Sequence, residues 1–314
     1  PASPGPLSAA PNPGEPADMR YRVTHSTHYT YASRVSSCYN LANVVPRDTR
    51  RQRCISSRIV VSPQPALSRS RTDYFGNQAY HFEIQKSHKE LVITAESEIH
   101  ISERDMDLNL DFGISYGQAL HHLRNSGSQQ TLEAREYLLD SPMIAASEEL
   151  AAYAQPSFIP DRSLKSCVSD LTSRIFRDFA YDPGFTTIAT PLADVLKHKR
   201  GVCQDFAHLQ IGCLRAVGIP AKYVSGYIET LPPPGEEKMV GADATHAWVA
   251  YFCPDEGWLE FDPTNDTAAS YQHIVTAFGR DYFDVTPLKG VIFGGGKAPM
   301  LSVSVDVSRL EDTD

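Results

Sequence analysis

No run of this chain approaches the ~20 consecutive apolar residues that a membrane-spanning helix requires. Basic residues are the minority, 29 Lys and Arg against 38 Asp and Glu. The resulting net charge of −9 argues against nucleic acid or an anionic membrane surface as a partner. Close-spaced C-x-x-C pairs are missing, and the six cysteines at 38, 54, 167, 203, 213 and 253 are scattered. They read as reduced thiols of a cytoplasmic protein, with Cys38–Cys54 as the one disulfide pairing left open. Residues 1–18, PASPGPLSAAPNPGEPAD, lack the basic and apolar regions of a signal peptide. Their Pro, Ala, Ser and Gly content predicts a disordered extension.

What is present is an ordinary globular composition, 41% hydrophobic and 21% charged, over a length that suits two domains. Tyr21, Val23 and His25 alternate with polar neighbours, as do the residues of Ile55–Val61 and of Tyr80, Phe82 and Ile84. Turn residues such as Gly76-Asn77 separate these runs, so 19–110 is expected to be a β-sandwich whose aromatics serve as core and edge packing. Periodicity fades between 103 and 131, which places a domain boundary there and assigns 111–314 to a second, α+β domain. His121-His122 has no third ligand nearby and reads as a surface pair. Helical spacing predicts helices over 131–139, 144–153, 163–179 and 191–198. Alternation predicts strands over 221–228, 244–252, 258–262, 274–278 and 301–307. The intervening LPPPGEEKMVGA, 231–242, reads as a mobile rim.

Chemistry concentrates at Lys199-Arg-Gly-Val-Cys203-Gln-Asp-Phe-Ala-His208, where a glycine turn enters a wide-faced apolar helix that Gly218 and Pro220 stop. A helix start offers unpaired N–H groups and the positive end of the dipole, a setting that favours a thiolate. His246 follows inside a strand, and Asp262 ends the next one. A hairpin turning at Pro254–Gly257 can set the two side by side. Cys, His and Asp are the set an acyl-transfer enzyme needs: a nucleophile, a proton carrier and a carboxylate that orients it. Backbone N–H groups at the helix start, that of Cys203 included, are candidates for an oxyanion hole.

RGVCQDFAHL, GIPAKYVSGYI, THAWVAYF and GWLEFDPTN together resemble the bacterial transglutaminase-like family of cysteine proteases. YRVTHSTHYTY, VVPRD and DYFGN resemble the β-rich region that precedes its catalytic core, and GRDYFDVTPLKGV its continuation. The resemblance covers nearly the whole chain. It implies a papain-like, transglutaminase-like α+β core with Cys203 as nucleophile, His246 as general base and acid, and Asp262 as the orienting residue. The substrate it implies is a protein or peptide. It leaves open hydrolysis, favoured here, against transfer to an amine, and the family also has inactive members.

Gln204, Asp205, Tyr181 and Trp248 are candidates for supporting the oxyanion or the substrate, each set against a packing role. Cys167 and Cys213 fall on apolar helix stripes and read as packing, and His208 stands about 140° round the helix from Cys203, a poor base for that sulfur. Two rival readings stand beside the enzyme. Cys203, His246 and Asp262 are acceptable zinc ligands, although close-spaced ligand pairs are missing. An inactive scaffold would use the β domain and the Pro-rich loop instead. No cofactor or metal is implied, and an acidic calcium-loop cluster is absent.

Overall fold

The computed structural model describes residues 18–102, 109–187, 190–230 and 243–310. The 231–242 rim and all but the last residue of the 1–18 extension therefore lie outside the described residues. The chain opens with β1 (Asp18–Ala42), β2 (Gln52–Ser62), β3 (Leu67–Thr72), β4 (Gln78–Ile84) and β5 (His88–Ser102). Helices α1 (Tyr116–Asn125), α2 (Gln129–Arg135), α3 (Glu148–Ala154) and α4 (Leu164–Asp178) follow, then β6 (Ala180–Tyr181), α5 (Leu192–His198) and β7 (Arg200–Gly201). The core continues with α6 (Cys203–Ala216), β8 (Ala221–Ile228), β9 (Ala244–Cys253), β10 (Gly257–Asp262), β11 (Thr267–Ala268) and β12 (His273–Gly279). Last come α7 (Tyr282–Val285), β13 (Leu288–Gly294) and β14 (Met300–Arg309).

The α+β order matches the expectation from sequence. The N-terminal strands form one bent antiparallel sheet, a half-barrel, in the order β2-β5-β1-β4-β3. The long β1 bends where its register shifts between Thr30 and Val35: its first part pairs with β5 and β14, its second with β4 and β13. Two strands from beyond residue 287 thus share a sheet with residues 18–102. The second layer comes from the core rather than from a second N-terminal sheet. Tyr21, Val23, Ile99, Ile101, Val305 and Val307 pack with Tyr227 of β8 and Ile274 of β12. Cys38 and Cys54 are free thiols.

The core sheet runs β11-β10-β9-β8-β12, with antiparallel neighbours throughout. Helix α6 packs across its β8–β9 face. Phe206, Ala207, Leu209, Ile211, Cys213 and Leu214 are buried there, which is why its apolar arc is so wide. Helix α4 begins at Ser163, whose hydroxyl accepts the Ser166 N–H, and buries the stripe Leu164, Cys167, Val168, Leu171 and Ile175. Two local features differ from the sequence reading. Tyr116–Asn125 is a helix inside the stretch read as aperiodic: Ser115 and Gln118 form a reciprocal capping box, and Tyr116, Ala119 and Leu123 face inward. The helix expected from Ile144 starts at Glu148, because Ser147 caps it and residues 141–144 form a tight turn.

Gly226 of β8 stands opposite His246 of β9. A Cβ there would lie 2.1 Å from the Ile274 carbonyl oxygen and 2.6 Å from the Trp248 ring. Neither a strand backbone nor a fully buried indole can retreat, so Gly226→Ala is expected to cost about 3 kcal/mol, the upper end of overpacking penalties. Urea unfolding that left the midpoint within error of wild type would contradict this account of the sheet.

Candidate active site

The turn before α6 is built by Asp205. Val202, the residue preceding the helix, has no side-chain acceptor, and the Asp205 carboxylate reaches back to take its N–H at 2.8 Å. The same oxygen accepts the Thr186 hydroxyl at 2.7 Å. A Cβ on residue 201 would fall 2.7 Å from the Asp205 Cβ, so glycine is required for this return. Asp205 is therefore a buried cap that fixes the backbone under the thiol. Cys203 sits in the first turn of α6, partly exposed.

His246 enters from β9. The β9–β10 register, with Phe261 opposite Val249, puts Asp262 just past the last pair and diagonal to His246. His246 Nε2 lies 2.7 Å from Asp262 Oδ2, and Cys203 is near enough to act on the charge of the same imidazole. With Nε2 committed to Asp262, Nδ1 is the ring nitrogen left over. Burial opposes charge on His246, but the Asp262 carboxylate, with help from Cys203, outweighs it and raises the imidazole to about 10. Burial likewise works against ionising Asp262, and is overcome by His246 and His273, which hold the carboxyl well below the usual carboxylate range.

His273 was not singled out from sequence. Its Nδ1 accepts the Ser270 N–H at 3.1 Å, which leaves the proton on Nε2. That Nε2–H donates to Asp262 Oδ2 at 3.2 Å. Asn265 donates to the same oxygen at 2.6 Å, and the Thr264 N–H to Oδ1 at 2.9 Å. The only local sign was a histidine in an otherwise apolar strand, a pattern that is usually packing.

The four supporting candidates separate. Trp248 is fully buried behind His246, stacked at 6.0 Å and 26°, with its N–H on Glu260 Oε2 at 2.8 Å. It backs the imidazole from within the core. Tyr181 pairs with Gly201 in the short parallel β6–β7 ladder, beside the turn that leads to Cys203. Burial, with Cys203 and Asp205 nearby, raises its phenol to about 12, so it stays an O–H donor at neutral pH. Gln204 is half-buried on the same turn as Cys203. His208 turns away, its Nε2 accepting the Tyr282 N–H at 3.1 Å.

Two clusters bring potential ligand atoms within 4.8 Å of one another, His246–Asp262–His273 and Cys253–Asp255–Glu256. In the first, the imidazole N–H groups already donate to the carboxylate, and Cys203 is not a member. A cavity of about 820 Å³ lies between α3, α5 and α6, and neither Cys203, His246 nor Asp262 lines it. No helix among the described residues is long and apolar enough to cross a membrane.

Residues 21–100 match the bacterial transglutaminase-like N-terminal region, and 153–263 match the transglutaminase-like superfamily. Rv2569c, an uncharacterized protein of Mycobacterium tuberculosis, is 42% identical over 299 residues, 93% of each chain. A protein-glutamine gamma-glutamyltransferase of Pseudomonas aeruginosa is 36% identical over 106 residues, 31% of this chain and 16% of that one. A solved structure from Cytophaga hutchinsonii, provisionally described as a cysteine protease, superposes with a TM-score of 0.72 at 22% identity, covering 95% of this chain and 92% of that one. With its half-barrel, papain-like core and both matches in register, the chain belongs to the transglutaminase-like superfamily.

Protonation links this site to stability. His246 gains charge on folding, so its contribution is complete below its ordinary 6.5 and is lost as pH rises through about 10. The Asp262 contribution is complete above its ordinary 3.8 and is lost as pH falls below that value. Asp262→Ala is therefore expected to cost about 3–5 kcal/mol, as for a broken buried pair. The gap to wild type in urea titrations should be widest between about pH 4 and 6.5 and shrink toward pH 10. A gap independent of pH would show that the pair is not charged.

Proposed function

We propose that the chain is a cysteine-dependent acyl-transfer enzyme acting on amide bonds of a protein or peptide, with water as the acceptor. The observation that carries this reading is a buried imidazole that rests on a buried carboxylate 2.7 Å away and is held charged by it, with help from a thiol at a helix start. Cys203 Sγ attacks the carbonyl carbon as the amide C–N bond breaks. His246 delivers its proton to the departing amine, and a thioester remains. Water then attacks, gives a proton back to His246, and releases the acid as the C–S bond breaks to leave the Cys203 thiolate beside the imidazolium. Asp262 holds the tautomer and the imidazolium throughout. The Cys203 N–H and the Tyr181 O–H are the proposed oxyanion donors.

The remaining cysteines support Cys203 as the nucleophile. Burial raises the thiols of Cys38, Cys54, Cys167, Cys213 and Cys253, that of Cys213 to about 12. Among the described residues none of the five has a paired histidine and carboxylate beside it; His88 lies 3.9 Å from Cys38, without an acid in the contact. Six free thiols also suit a reducing compartment, and we place the protein in the cytoplasm on that ground. A second reading, transfer to a primary amine, is favoured by the similarity of one segment to the Pseudomonas gamma-glutamyltransferase.

Iodoacetamide near neutral pH is expected to label Cys203 ahead of the other five, as read by peptide mass spectrometry. Indifferent labelling would favour the inactive scaffold. Amide hydrolysis on a peptide and isopeptide library should vanish in Cys203→Ala, and added primary amine separates the two acceptors. Activity should fall as pH rises through about 10, where His246 loses the proton the leaving amine needs. Tyr181→Phe should lower kcat on the order of 100-fold with KM little changed, the signature of a lost oxyanion donor. Unchanged kcat would remove Tyr181 from the mechanism.

A further inference from the structure

The 820 Å³ cavity on the far side of α6 is built, not incidental. One wall, residues 141–147, is pinned by two buried groups: Arg215 donates to the Ser141 hydroxyl at 3.2 Å, and Asp281 accepts the Met143 N–H at 2.8 Å. Leu192 and Leu196 of α5 form the opposite wall, and Asp205 and His208, one turn apart on α6, supply its polar floor. Such a concave, mostly apolar space with a few convergent polar groups is the usual form of a small-molecule site.

The floor has an unused donor and an unused acceptor. His208 is 4% exposed, and because its Nε2 accepts the Tyr282 N–H, the ring proton is on Nδ1. Among the described residues no hydrogen-bond partner meets that Nδ1–H. Burial lowers the imidazole to about 4, so it is a neutral donor across the working range. Asp205 uses Oδ2 for both of its bonds, to Val202 and Thr186, which leaves Oδ1. At the rim, Glu149 and Lys197 offset each other in charge.

We infer that this cavity binds a small neutral carboxamide with an apolar body, its carbonyl accepting from His208 Nδ1–H and its NH₂ donating to Asp205 Oδ1. A carboxylate head would satisfy His208 but meet the Asp205 charge; an amine would satisfy Asp205 and leave the His208 donor unmet. Of these three heads, the amide answers both. The same two residues hold the Val202 N–H just before Cys203 and the Tyr282 N–H beside it, so occupancy is felt at the thiol. The site is separate from the Cys203–His246–Asp262 chemistry and does not depend on that chemistry being catalytic.

The test is calorimetric titration of the full chain with three probes that share one apolar body: phenylacetamide, phenylacetate and phenethylamine. Phenylacetamide is expected to bind saturably and tightest. His208→Phe should weaken it about tenfold, the loss of one buried hydrogen bond. Ala193→Trp, which fills the cavity from its exposed α5 wall and touches neither polar group, should abolish binding in a chain whose circular dichroism is native. Saturating phenylacetamide should also change the iodoacetamide rate at Cys203. The site is overturned if none of the three probes saturates, or if binding survives Ala193→Trp. The head-group assignment is overturned if phenylacetate or phenethylamine binds tightest. An unchanged Cys203 rate at saturation removes the coupling.

Discussion

A carboxylate with no solvent contact has to be surrounded by donors, and Asp262 is such a group. Its four donors come from different places: His246 from β9, His273 from β12, and Thr264 and Asn265 from the turn that ends β10. Strand β8 lies between β9 and β12, so the charge is satisfied only when three strands stand in a single register. Gly226 lets that happen, because its missing side chain is the space into which the Trp248 ring and the Ile274 carbonyl close. Trp248 then backs the imidazole, and the Cys203 turn meets it from the helix side. The catalytic order proposed for this protein is thus a by-product of burying one negative charge well.

Asp262 also explains what was legible in the sequence. Cys203, His246 and Asp262 could be read because each sits at a local signal: a glycine turn into a helix, an alternating strand, and a strand stopped by Pro263. The hairpin turn then fixed which residues met. His273 could not be read, since its partner carboxylate lies on a non-adjacent strand and nothing near Ser270–Ile274 marks the contact. Asp205 was legible as a polar residue beside Cys203, but its work, reaching back to Val202, is visible only once Gly201 is seen to leave room. Tyr181 and Gly201 come together through a two-residue parallel ladder too short to leave any periodic trace.

The half-barrel shows the same divide on a larger scale. Alternation along β1 correctly marked a buried face, with Tyr21, Val23, His25 and Thr27 turned inward. Alternation says nothing about which strand lies alongside, and here one neighbour of Tyr21 is Ile99 while the other is Arg309. Helix α1 escaped notice for a related reason. Three inward residues among His121, His122 and Arg124 give too thin an apolar stripe, and its start is marked by the Ser115–Gln118 pair rather than by hydrophobicity.

The pairing of β1 with β14 has a bearing on how the protein is made. Translation at about 5–20 residues per second delivers β14 tens of seconds after β1 has left the ribosome. Through that interval β1 has β5 on one edge and an open edge on the other, with the inner face of β5 waiting for Val305 and Val307. Contacts this distant in sequence form slowly, and an unpaired edge held open for so long is the state in which a nascent chain is most exposed to wrong partners. Every residue of the Cys203 site is synthesised before that edge is closed. Among the described strands β14 is the last delivered, so the half-barrel is completed only after the core that holds Cys203 has been synthesised.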